Sequence, residues 1–64
     1  MANLQLFDMM MQYEEGNLSE AEMLEMFQLL IDNGMVWSLQ GFYGRTAKTL
    51  IEFGYCRPAP SQLN

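Results

Sequence analysis

The sequence predicts an all-α fold: a small helical domain of three main helices and one short helix, which we expect to be oligomeric. Apolar residues recur at helical spacing in three segments. A helix-capping signal precedes the second segment, and no segment keeps the period-two alternation of a strand. With 64 residues the chain buries only ~60% of its unfolded surface, so self-association would add to a small core.

The first helix is predicted to run from Leu4 to Glu14, with Asn3 as its N-cap. Its apolar residues form a broad stripe at helical spacing: Leu6, Phe7, Met10, Met11 and Tyr13. Gly16 and Asn17 end the helix.

The second helix has the strongest start signal in the chain. Ser19 is the predicted N-cap, and Glu22 stands three residues later, which forms a capping box. Asn33 and Gly34 supply the end signal, because glycine adopts positive φ at low cost. Between these signals lies the apolar stripe, made of Met23, Leu24, Met26, Phe27, Leu30 and Ile31.

The remaining elements are shorter. Residues 35–40 are long enough for one or two helical turns, which Gly41 is expected to end. Residues 42–44 are predicted to form a connector, and the last helix is predicted from Gly44 or Arg45 to Phe53, with Gly54 at its end. The sequence thus predicts a domain over residues 1–56 and an extended, mobile tail over residues 57–64, which contains two prolines.

Composition excludes several function classes. The net charge is -5, which argues against a protein that binds duplex nucleic acid or a membrane surface. Cys56 is the single cysteine and there is no histidine, so neither a disulfide nor a zinc site is predicted, and no cofactor is expected. The N-terminus does not resemble a signal peptide and no apolar run is long enough to span a membrane. These features fit a reducing cytoplasm.

Enzymatic activity is not expected. No histidine is present to act as a general base, and neither a phosphate-binding loop nor a dinucleotide-binding fingerprint occurs. The carboxylates of the second helix lie on the face predicted to be solvated. We therefore expect a binding protein rather than a catalyst.

The stretch from Trp37 to Lys48 is the candidate site. It combines aromatic residues, two glycines and two of the three cations of an acidic chain. A helix N-terminus at this point would favour an anion, which Arg45 is suited to hold with two hydrogen bonds. The ligand-binding residues that we predict are Trp37, Gln40, Tyr43, Arg45, Thr46 and Lys48. The alternative, a tight interhelical turn packed by aromatic residues, stays open, and Lys48 has the i, i+4 spacing to pair with Glu52.

Residues 37–54 read W-x-L-Q-G-x-Y-G-R-x-A-x-x-L-I-x-x-G, and this pattern resembles a family of short, uncharacterised tailed-phage proteins. The similarity extends back to about Gly16 and forward to Cys56. It carries no activity that could be transferred. It implies a phage origin and expression in the host cytoplasm, where such small proteins are often accessory factors directed against host defence or host machinery.

Two hypotheses for function follow. In the first, an oligomer sequesters a nucleotide-type signalling molecule at the predicted site, without catalysis, and so counters host defence. In the second, a methionine-rich and aromatic surface blocks a host defence, replication or transcription protein. The acidic rim of that surface is predicted at Glu20, Glu22, Glu25 and Asp32.

Overall fold

Three α-helices and one 3-10 turn make up the fold. The computed structural model describes the backbone of residues 2–60 and the side chains of residues 5–60. Helix α1 spans Ala2–Glu14, α2 spans Glu20–Asp32 and α3 spans Gly41–Glu52, with the 3-10 turn η1 at Met35–Ser38 between α2 and α3. No strand occurs in residues 2–60. The predicted all-α class, with three main helices and one short one, is confirmed.

The predicted start of α2 is confirmed in atomic detail. The Glu22 amide donates to Ser19 Oγ at 3.2 Å, and the Ser19 amide donates to Glu22 Oε1 at 2.9 Å. These two bonds form the capping box that the sequence predicts, and they satisfy two amides at the helix start that have no partner within the helix.

Each helix ends at a glycine in the left-handed conformation. Gly16, Gly34 and Gly54 have φ between 79° and 82°. At the end of α3 the Tyr55 amide donates to the Leu50 carbonyl at 2.8 Å, which is a Schellman arrangement around Gly54, the residue predicted to end this helix.

Helix α1 begins earlier than predicted. Asn3 lies within α1 rather than at its N-cap, because the helix already includes Ala2. Alanine has the highest helix propensity of all residues, so the helix extends through this position without needing Asn3 as a cap.

Helix α3 also begins earlier, and this changes the candidate site. The helix starts at Gly41 with Gln40 as its N-cap, so residues 42–44 are helical and do not form a connector. Neither Gly41 nor Gly44 has a positive φ, so neither makes the turn that the sequence analysis expected. Arg45 is the fifth residue of the helix. Arg45, Thr46 and Lys48 therefore lie beyond the first turn, where backbone amides donate to carbonyls of the same helix.

Helix α2 is the centre of the core. Met26, Phe27, Leu30 and Ile31 are fully buried. The Phe27 ring packs edge-on against Tyr13 of α1 at 5.5 Å and lies 5.9 Å from the ring of Tyr43 in α3. Three helices thus meet at one aromatic cluster. The other buried core residues come from α1, η1, α3 and the C-terminal segment: Leu6, Val36, Ala47, Cys56 and Ala59.

The segment after α3 packs on α2. The Arg57 amide donates to Gln28 Oε1 at 2.8 Å, and Gln28 Nε2 donates back to the Arg57 carbonyl at 2.9 Å. Ala59 is 2% exposed. The first part of the predicted tail is therefore fixed to the domain, since Gln28 supplies a two-bond anchor. The rest of that prediction, residues 61–64, lies outside the described residues.

Candidate functional site

Trp37 lies against α3 at Gly44. A Cβ placed on Gly44 would stand 3.7 Å from the Trp37 ring and 3.9 Å from the Val36 carbonyl oxygen. Both are ordinary contact distances, so η1 lies next to the helix at this glycine. Trp37 remains 44% exposed, so one part of the indole packs on the helix and the other is open to solvent.

Tyr43 is a core residue. It is 3% exposed, and its ring lies 4.3 Å from Phe42 and 6.0 Å from Tyr13. Its hydroxyl donates to Glu14 Oε2 at 2.7 Å. Burial, and then the bonded Glu14 carboxylate, raise the pKa of Tyr43 far above its ordinary range. A ring enclosed in this way has no free face on which a base could stack.

Arg45 folds back along its own helix. A Cβ placed on Gly41 would stand 2.9 Å from Arg45 Nη1, so the guanidinium lies over the first residue of α3. Gln40, at the N-cap, is exposed and makes no side-chain capping bond. The start of α3 therefore has amides without a side-chain cap and a nearby guanidinium, a combination that attracts anions.

Lys48 and Thr46 lie on different sides of α3. Lys48 is exposed on the side of Arg45, three residues earlier, whereas Thr46 is two positions from Lys48 and half-buried. Within the described part of the chain neither Arg45 nor Lys48 forms an ion pair. The pairing of Lys48 with Glu52 that the i, i+4 spacing allows is thus not seen.

The structure brings part of the predicted site together. Trp37, Gln40, Arg45 and Lys48 lie at or near the outward side of α3, while Tyr43 belongs to the core and Thr46 faces another side. Two grooves among the described residues lie elsewhere: one of about 710 Å³ runs beside Gln28, Asp32 and Arg57. Another of about 200 Å³ lies between α2 and the end of α3, lined by Glu20, Met23, Leu24, Leu50 and Tyr55.

The described side chains offer neither a metal-binding cluster nor a reactive thiol. Within the described residues, no group of three or more Asp, Glu, Cys or His side chains is placed to hold a metal ion. Cys56 is buried, and its thiol donates to the Leu24 carbonyl at 3.7 Å. Burial, and secondarily the Asp32 charge, raise the pKa of this thiol, which keeps it in its unreactive protonated form at neutral pH.

Helix α1 has an exposed apolar surface that was not predicted from the sequence. Phe7 is 52% exposed and Met11, one turn later, is 57% exposed. Asp8 and Glu15 are exposed around them, and we call these four residues the α1 outer face. The sequence feature that could have indicated this surface is the width of the apolar stripe on α1. Leu6, Met10 and Tyr13 already supply the side that packs on the core, so Phe7 and Met11 extend beyond it.

Charge is divided unevenly along the chain. Residues 1–33 contain seven carboxylates and no lysine or arginine, whereas residues 34–64 contain all three cations and one carboxylate. Helices α1 and α2 are therefore uniformly anionic on their outward sides, and the exposed cations lie on α3 and the segment that follows it.

Comparison with known proteins identifies the family and no relative of known activity. Among residues 2–60, no helix is long and apolar enough to cross a membrane. Neither the curated proteins nor the solved structures include a significant match. A family model matches residues 1–63, nearly the whole chain. The chain therefore belongs to the family described as Domain of unknown function (DUF7417).

Proposed function

We propose that this protein acts without catalysis, by binding another protein through the α1 outer face. The observation that carries the proposal is the half-exposed pair Phe7 and Met11, one turn apart on α1. Side chains at i and i+4 lie next to each other on a helix. Aromatic residues and methionine are enriched at protein interfaces, and methionine adapts its shape to a partner.

The charge around this pair indicates the chemistry of the partner. Asp8 and Glu15 flank the apolar pair, and neither α1 nor α2 carries a cation. A partner surface that offers an apolar pocket rimmed by lysine or arginine would complement both features, since opposite potentials across an interface speed association and exclude wrong partners. We therefore propose that the partner has a cationic groove that accepts α1.

The resemblance to short tailed-phage proteins supports a biological setting for this binding. A phage protein made in the host cytoplasm would meet host proteins with cationic grooves, among them proteins of defence, replication and transcription that handle nucleic acid. Occupation of such a groove would block its normal ligand. The proposed function is thus inhibition of a host protein.

The test compares two truncations of exposed aromatic surface. Phe7→Ala with Met11→Ala removes the apolar pair, and alanine preserves the helix propensity of α1. Phe53→Ala is the matched control, because Phe53 is 73% exposed but belongs to the end of α3. Affinity capture from a bacterial lysate should retain one stoichiometric protein with the wild type and with the control.

The double variant should bind that protein at least about tenfold more weakly, the loss expected when a hot-spot residue is truncated. Circular dichroism should show that all three proteins are folded. Equal capture by the double variant and the wild type would disprove the assignment of the α1 outer face.

A second function, sequestration of a nucleotide-type anion, is favoured by one specific observation: the Arg45 guanidinium lies over the first residue of α3, where the amides have no side-chain cap. In this proposal Gln40 and Arg45 hold the phosphate and the exposed part of Trp37 stacks on the base. Tyr43 has no part in it, since its ring is enclosed. Thr46 is also excluded, because it faces another side of the helix.

Calorimetry separates this proposal from the first. Cyclic nucleotides and NAD-derived signals would be titrated into the wild type, Arg45→Ala and Arg57→Ala, the last serving as a control that removes an equal charge elsewhere. Sequestration predicts binding that is lost in Arg45→Ala and kept in Arg57→Ala. If the wild type gives no heat with any compound, this second function is rejected.

A further inference from the structure

Two exposed helix faces of this chain carry opposite charge. On α2, Glu22, Glu25, Leu29 and Asp32 are all exposed and follow the i, i+3, i+7, i+10 spacing of one helix side. We call these four residues the acidic face. On α3, Arg45 and Lys48 are exposed on one side, with Trp37 packed beside them on Gly44. We call these three residues the cationic face.

Each face also contains one large apolar side chain that is half-exposed. Leu29 is 42% exposed within the acidic face, and Trp37 is 44% exposed within the cationic face. Surface ion pairs alone contribute little to association. A buried apolar contact at the centre, surrounded by opposite charges, is the arrangement of a specific interface.

We propose that the occupant of each face is the opposite face of a second copy of this chain. Leu29 of one copy would pack on Trp37 of the next, and Arg45 and Lys48 would approach Glu25 and Asp32. Within the described residues the two cations form no ion pair in their own chain.

The geometry determines the type of assembly. Both helices direct their buried residues into one core, so their exposed faces point away from each other. A contact between unlike faces is heterologous, and it produces a closed ring or an open chain rather than a single symmetric pair. This surface is distinct from the α1 outer face, so the copies can associate while α1 binds its partner.

Sedimentation velocity over a wide range of protein concentration tests the proposal. The wild type should sediment as species larger than the 7.4 kDa monomer at high concentration. The variant Arg45→Gln with Lys48→Gln should remain a monomer. The control Gln5→Glu with Gln12→Glu has the same net charge as that variant, but its changes lie on α1, so it should associate like the wild type.

A charge exchange makes the test independent of folding. Arg45→Glu with Lys48→Glu, and separately Glu25→Lys with Asp32→Lys, should each be monomeric. Their mixture should associate in one-to-one proportion, since the first chain then has acidic faces on both α2 and α3 and the second has cationic faces on both. A wild type that stays monomeric at all concentrations would overturn the proposal, and so would two exchanged chains that fail to associate when mixed.

Discussion

Tyr43 joins α1 and α3 through one hydrogen bond and a set of ring contacts. Its hydroxyl donates to Glu14 Oε2 at 2.7 Å, and its ring lies about equally far from Phe27 and Tyr13. Few other contacts connect the end of α1 to α3. Tyr43, which was predicted from the sequence to bind a ligand, is therefore a structural link between α1 and α3.

The buried phenol predicts a loss of stability in alkali. The pKa of Tyr43 in the folded protein lies above its ordinary value of 10.0, through burial first and Glu14 second. The folded state therefore holds its proton at pH values where the unfolded state releases it. The stabilisation is present in full below about pH 10 and decreases as the pH rises above that value.

Tyr43→Phe should show both effects. At neutral pH the lost hydrogen bond should lower the free energy of unfolding by about 1 kcal/mol, and above pH 10 the decline of stability should be shallower than in the wild type. Urea unfolding at several pH values measures this. Tyr55→Phe is the control, since Tyr55 is 64% exposed. Identical alkaline profiles for Tyr43→Phe and the wild type would show that the buried phenol has no such role.

At the scale of the element, the glycines of α3 act differently from those that end helices. Gly44 is helical, and a Cβ placed on it would be in ordinary contact with Trp37. Gly54 has φ of 82° and ends the helix, with nothing within 4 Å of a Cβ placed on it. The first position therefore has room for a small side chain, whereas the backbone of the second favours glycine.

This difference predicts opposite effects of alanine. Gly44→Ala places a methyl group at ordinary contact distance from Trp37, and alanine favours a helix interior over glycine by up to about 1 kcal/mol. The variant should be as stable as the wild type or more stable. Gly54→Ala should lose about 1 kcal/mol, because alanine is strained at positive φ. Thermal unfolding measures both, and a larger loss in Gly44→Ala would contradict the early start of α3.

The elements could be predicted where the signal is local. Ser19 with Glu22, and the helix-ending glycines, act within one helical turn, so the sequence alone indicated them. The start of α3 was missed because glycine at residues 41 and 44 normally indicates a turn. Here both glycines are helical. Gly44 adjoins Trp37, which belongs to another element, η1, so this contact is not visible in the local sequence. The burial of Tyr43 was not predicted because the rings that enclose it, Tyr13 and Phe27, belong to the other two helices.

Across the whole molecule, the surface divides into an anionic part and a part that carries the cations. The anionic outward sides belong to α1 and α2, and the cations lie after residue 33. The exposed apolar pair Phe7 and Met11 lies on the anionic part. A helical sequence pattern shows which residues are apolar, but exposure depends on how many neighbours pack on each helix. In this fold α1 packs chiefly on α2, so one of its sides is left uncovered.

The central claim, that the α1 outer face binds another protein, is tested most directly by photo-crosslinking from single positions. Benzoylphenylalanine would replace Phe7 in one chain and Phe53 in another, which retains an aromatic ring at each site. After irradiation in a bacterial lysate, position 7 should form one dominant crosslink to a single protein with a cationic groove, and position 53 should not. Equal labelling from both positions, or no crosslink from position 7, would contradict the account.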